Sequence, residues 1–175
     1  IDSSFVINEV TPTIFEGTVG HVVCHGESNG SIDLTILDGS PDYIFEWDNG
    51  MSSEDLYGLS PGTYRVKITD GNGCSVYASY DVLEPVELRA TIFVEQPSNI
   101  ENGNIDLSVE GGTLPYTYTW NTGDLSEDLY NISAGYYGAT IVDNNGCVLF
   151  IDETVQNINT ASIMNSINSK ENIPT

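Results

Sequence analysis

Apolar and polar residues alternate in short runs along this chain, and the runs come in two matching sets. Ile32, Leu34 and Ile36 share one face of an extended segment 31–37, and Tyr64, Val66 and Ile68 share one face of 63–69. The spacing returns as Ile105, Leu107 and Val109 in 104–109 and as Tyr137, Ala139 and Ile141 in 136–142. A period of two marks half-buried strands, because successive side chains of an extended chain point to opposite faces. Tyr43, Phe45 and Trp47 form a third, aromatic strand, copied as Tyr116, Tyr118 and Trp120. Further strands are expected at 18–23, 75–83, 91–96 and 148–155, and no helical period stands out inside either set.

Turn chemistry separates the runs. Asp70-Gly71-Asn72-Gly73 and Asp143-Asn144-Asn145-Gly146 supply residues that tolerate positive φ, and Asp38-Gly39 and Gly111-Gly112 begin the turn before each aromatic strand. Short strands with turns every eight to twelve residues predict an all-β, immunoglobulin-like sandwich. Tyr64 follows the Pro61-Gly62 turn at the start of a strand, and Tyr137 follows Ala134-Gly135 in the same way. That placement is the tyrosine corner of such sandwiches and makes both residues structural.

The two sets are one module written twice. Residues 28–74 match 101–147 at an offset of 73: Ser53-Glu54-Asp55-Leu56-Tyr57 is identical to 126–130, and Asn72-Gly73-Cys74 to 145–147. Four segments follow: 1–17 as the end of a preceding repeat, 18–87 and 88–156 as two tandem modules, and 157–175 as a polar C-terminal linker, with a short helix on Ile158, Ala161, Met164 and Ile167 the alternative. Phe5-Val6-Ile7-Asn8-Glu9 resembles Tyr80-Asp81-Val82-Leu83-Glu84, so the chain reads as a piece of a longer array. A module of this size lies near the lower limit for a self-supporting core.

Charge narrows the function. The net charge is −22. Residues 18–90 hold 12 acidic and 3 basic side chains, and 91–156 hold 10 acidic and none basic, so the acidity belongs to both modules rather than to a tail. Such a surface repels phosphate backbones and excludes nucleic acid as a partner. Disorder is the competing reading of high charge, but 39% of residues are hydrophobic and they alternate in register. No run of eighteen apolar residues is present to insert into a membrane.

The string Asn-Gly-Ser-Ile-Asp-Leu, Tyr-x-Phe-x-Trp, Glu-Asp-Leu, Leu-Ser-Pro-Gly-Thr-Tyr and Thr-Asp-Gly-Asn-Gly-Cys, seen over about 20–85 and again over 93–156, resembles the SprB repeat of very large Bacteroidetes surface proteins, the gliding-motility adhesin among them. The second copy departs from it at Ala134 and at Pro97, where Cys24 would fall. The resemblance implies type 9 secretion, display at the cell surface, a stalk or adhesin role and no catalysis. It implies as partners the neighbouring repeats of the same chain, surface polysaccharide or other copies in a filament.

Few residues offer chemistry. Cys24 and Cys74 are expected to form a disulfide between the module's first and last strands, with two buried free thiols the alternative. Closing that loop would stabilise the module by about 4 kcal/mol in the chain-entropy view. Cys147 is then an unpaired thiol. His21 and His25 flank Cys24, but zinc needs about four converging ligands and the second module has none at the matching positions. Glu54-Asp55 and Glu127-Asp128 read as a structural turn, with a shared calcium site as the alternative; Asp70 and Asp143 offer further oxygens in their loops. Otherwise no cofactor is expected. Trp47 and Trp120 are expected in the core, the alternative being a sugar-stacking surface. Tyr57 and Tyr130 are expected to be exposed. There is no Ser-His-Asp set, no phosphate-binding glycine loop and no basic patch, so the chain reads as a non-enzyme.

Overall fold

The computed structural model describes residues 12–97 and 102–157, so the expectations for 1–11 and for the linker at 158–175 lie outside the described residues. The chain divides into two compact units, Ile1–Pro85 and Val86–Thr175.

The first unit contains β1 (Ile14–Gly20), β2 (Gly30–Asp38), β3 (Ile44–Trp47), β4 (Leu56–Leu59), β5 (Gly62–Thr69) and β6 (Ser75–Val82). They form two three-stranded antiparallel sheets, β1-β2-β4 and β3-β5-β6. This is the immunoglobulin-like arrangement, with one sheet made of the first, second and fourth strands and the other of the third, fifth and sixth. The alternation seen in the sequence becomes the core. Ile32 and Leu34 of β2, Phe45 and Trp47 of β3, and Val66 and Ile68 of β5 are all buried between the sheets. Asp33, between two buried residues of β2, faces out.

The second unit repeats this with β7 (Arg89–Glu95), β8 (Gly103–Glu110), β9 (Thr117–Trp120), β10 (Leu129–Ile132), β11 (Gly135–Val142) and β12 (Val148–Val155). Its sheets are β7-β8-β10 and β9-β11-β12. Ile105, Leu107, Trp120, Leu129, Ala139, Ile141 and Val155 are buried.

Three expectations are corrected. The first strand begins at Ile14, not at 18, so residues 14–17 belong to the first module and not to a preceding repeat. Phe15 and Val19 of this strand pack on the core, which is what anchors it. Val86 belongs to the second module, because its carbonyl accepts the Gly112 N–H at 2.8 Å. The Leu-Tyr-Gly-Leu and Leu-Tyr-Asn-Ile segments, absent from the expected strands, are the edge strands β4 and β10.

Candidate functional site

The repeated acidic pairs serve the backbone. Asp55 Oδ1 accepts the Leu34 N–H at 3.0 Å, and Ser53 Oγ donates to the Asp55 carbonyl at 2.7 Å. The copy is geometrically the same: Asp128 Oδ1 accepts from Leu107 N–H at 3.0 Å, and Ser126 Oγ donates to the Asp128 carbonyl at 2.7 Å. Each aspartate thus occupies the next rung on β2 or β8 just before the short edge strand begins. The glutamates differ. Glu127 Oε1 accepts from the Tyr118 hydroxyl at 2.9 Å. Phe45 stands at the matching place in the first module and has no hydroxyl to offer Glu54. Exposed Tyr130 donates to Asp128 Oδ2 at 2.9 Å. The Asp55 carboxylate is the main reason the Tyr57 phenol is held above its ordinary value, and the hydrogen bond to Asp128 is the main reason for Tyr130.

The turn aspartates are buried, and both accept from the backbone of their turns, although Asp70 Oδ2 has no hydrogen-bond partner among the described residues. Asp70 Oδ1 accepts from Asn72 N–H at 3.0 Å and Cys74 N–H at 2.8 Å. Asp143 Oδ1 accepts from Asn145 N–H at 2.8 Å and Cys147 N–H at 2.9 Å, and its Oδ2 accepts from Thr113 N–H at 2.8 Å. These backbone donors fix the turn. Among the described residues, no three His, Cys, Asp or Glu side chains are grouped to hold a metal.

The aromatic residues are structural in both copies. Trp47 Nε1 donates to the Ser53 carbonyl and Trp120 Nε1 to the Ser126 carbonyl, both at 2.9 Å, so each buried indole has its polar edge satisfied. Tyr64 donates to the Ser60 carbonyl and Tyr137 to the Ser133 carbonyl, also at 2.9 Å, which closes the tyrosine corner twice.

The cysteine assignment is overturned. Cys74 is the free thiol, half-buried, while Cys24 and Cys147 are disulfide-bonded. Position along β6 explains why Cys24 does not pair with Cys74. The segment carrying Cys24 lies at the strand's far end: Val22 N–H donates to the Leu83 carbonyl at 2.9 Å, and Gly26 N–H to Glu84 Oε2 at 2.8 Å. Cys74 directly precedes the strand's first residue, Ser75. Eight extended residues span about 25 Å, several times the Cα separation a disulfide allows. The histidines belong to the same far end. His21 Nδ1 accepts from Leu83 N–H at 3.2 Å, and His25 Nδ1 lies 3.2 Å from the Pro85 carbonyl and from Glu84 Oε2.

Among the described residues, the first module also carries a surface groove that the sequence reading missed. It lies on the outer face of β3-β5-β6 and has a volume of about 510 Å³. Glu46, Lys67 and Tyr77 line one side, and Asp48, Arg65 and Ser79 the other. Arg65 and Lys67 alternate with buried Val66 and Ile68, so their outward direction was legible; the residues set beside them from β3 and β6 depend on strand pairing and were not.

No curated protein sequence matches the chain. Among solved structures it is similar to a C-terminal intimin fragment in complex with the translocated intimin receptor's intimin-binding domain, at 13% identity and TM-score 0.40, over 84% of this chain and 64% of that one. It is also similar to the ectodomain of mouse nectin-like molecule 4, at 11% identity and TM-score 0.40, over 86% of this chain and 65% of that one. The chain therefore spans slightly less than two thirds of either structure. The family profile of the SprB repeat matches residues 17–52 in the first module and 100–125 in the second.

Proposed function

We propose that this chain is a length of the non-catalytic, extracellular repeat region of a bacterial cell-surface adhesin or filament, exported by the type 9 route, and that it acts as stalk and multivalent contact module. The observation that carries the reading is the duplication itself: two sandwiches with the same strand order each use the repeated aspartates, tryptophans and tyrosines for their own folding. Arrays of such units multiply weak contacts by raising effective concentration. The partners in this reading are neighbouring repeats, surface polysaccharide and other copies of the chain, and gliding motility is one process that such contacts would serve. The reading assigns no cofactor: one carboxylate oxygen of each of Asp55, Asp128, Asp70 and Asp143 already accepts from backbone N–H donors.

An antibody raised against the two modules tests the location. It should label intact cells of the source bacterium, and externally added protease should remove the signal; labelling only after lysis overturns the reading. A second reading, accessory modules of a secreted enzyme, is favoured by the open groove on β3-β5-β6. A hydrolase domain in the same gene would support it, whereas a run of further repeats supports the stalk.

A further inference from the structure

Strand register builds the groove of the first module. Glu46 pairs with Lys67 and Lys67 with Tyr77, which sets these three in one row across the sheet. Arg65 pairs with Ser79, and its N–H donates to Asp48 Oδ1 at 3.1 Å, which sets a second row. The row between them, Trp47, Val66 and Ala78, turns its side chains toward the core, so its backbone is the floor. Each wall carries an ion pair: Lys67 Nζ to Glu46 Oε2 at 2.7 Å, and Arg65 Nη1 to Asp48 Oδ2 at a looser 3.7 Å. Tyr77 is 73% exposed beside them.

The second module shows what this surface becomes without those residues. The matching rows are Thr119, Thr140 and Phe150, and Asn121, Gly138 and Asp152. A Cβ on Gly138 would meet the Phe150 ring at 2.9 Å, so the ring lies over the place that Arg65 holds open in the first module. No cation is present there. Two of the chain's four basic side chains stand in the first groove alone.

We propose that this groove binds a neutral hexopyranose unit of a polysaccharide, an inference that rests on the surface-contact reading above and names the site for it. A pyranose ring presents an apolar C–H face, which stacks on an exposed phenol such as Tyr77. Its vicinal hydroxyls both donate and accept, and each ion pair sets an acceptor beside a donor at the groove wall. The walls carry no net charge, and the surrounding surface is strongly acidic, which disfavours an anionic polymer. A few convergent polar groups over an otherwise apolar depression is the general pattern of a small-ligand site.

The 175-residue chain should be retained on at least one of a set of immobilised neutral polymers, including glucan, mannan and galactan. Tyr77→Ala and Arg65→Ser should each weaken retention about tenfold, the scale of one lost aromatic or hydrogen-bonded contact. Phe150→Ala should leave it unchanged. Both groove residues are exposed, and unchanged melting curves should show that the variants fold. The inference is overturned by no retention on any neutral polymer, by retention that survives Tyr77→Ala in folded protein, or by retention confined to a uronate polymer and abolished by salt. Cell-surface labelling is independent of these outcomes, so a surface-exposed chain that ignores every glycan sinks the groove and leaves the surface reading standing.

Discussion

Tyr80 of β6 fills the space over Gly17 of β1. A Cβ on Gly17 would meet the tyrosine's Cζ at 2.6 Å and Leu34 Cδ2 at 2.7 Å. The Tyr80 ring also packs against Trp47, with centroids 6.4 Å apart and planes tilted by 46°. The second module solves the same problem with exchanged sizes. Ile92 pairs with Leu107 as Gly17 pairs with Leu34, and Glu153 pairs with Tyr137 as Tyr80 pairs with Tyr64. Where the small residue of β1 becomes large, the ring of β6 gives way to an exposed carboxylate.

The exchange predicts a coupled pair. Gly17→Ala should destabilise the first module by about 1–3 kcal/mol through overpacking, without moving the second module's transition. Gly17→Ile should cost more, and adding Tyr80→Glu should recover most of that loss. Denaturant unfolding of the single and double variants measures the coupling. Additive losses would show that the two residues do not share one space.

The identical geometry of Asp55 and Asp128 predicts matched losses. Removing either side chain leaves a part-buried N–H, of Leu34 or Leu107, without its acceptor. Asp55→Ala and Asp128→Ala should each cost about 1–3 kcal/mol, and the asparagine variants, which keep an acceptor oxygen, should cost much less. The readout is calorimetric unfolding with calcium and with chelator. A calcium-dependent rise in melting temperature that disappears in Asp55→Asn would reassign the carboxylate to a cation.

Why some elements were legible in the sequence and others not follows from local geometry. β2, β5 and β8 alternate along one buried face, and β11 does so apart from buried Gly138, so a period of two located them. β4 and β10 do not alternate. Leu56 and Leu59 are both buried although three residues apart, because Gly58 at φ 68° and Asn131 at φ 58° bend these strands and shift their register against β2 and β8. A bulge of that kind removes the pattern that reveals a strand. The tyrosine corner and the inward indoles were readable because a turn or an alternation next to them fixes their direction. The cysteine pairing was not, because a residue's position beside a strand does not say which pole of the sandwich it reaches. The groove was not, because it is made by register among three strands.

The corrected cysteines give a direct chemical test. Alkylation of the native, unreduced protein should add one label, and peptide mapping should place it at Cys74. Cys74 is half-buried, so labelling should be slower than in the denatured protein. Cys74→Ser should leave the unreduced protein with no reactive thiol and a nearly unchanged melting temperature, since the hydroxyl is smaller and the site has no bridge to lose. A label at Cys147, or three labels, would overturn the assignment.

Tyr118 makes the second module sensitive to alkali. Its partial burial first, and then its hydrogen bond to the Glu127 carboxylate, push its pKa up to about 12 from an ordinary 10.0. The neutral phenol is therefore favoured in the folded state. Below pH 10 both states keep the proton and the stability is intact. Between 10 and about 12 the unfolded chain releases a proton that the folded chain holds, so stability falls as pH rises through that window. Tyr57, Tyr80 and Tyr130 are raised as well, so ultraviolet titration of the phenolates should show several late ionisations, the last of which Tyr118→Phe removes, along with part of the high-pH loss of stability. Glu127→Gln should bring that ionisation down only in part, because the larger cause, burial, stays. The phenylalanine variant installs what the first module already has at Phe45, so its fold should be preserved and the change confined to pH dependence. An alkaline titration unchanged by Tyr118→Phe would show that the last-ionising group lies elsewhere.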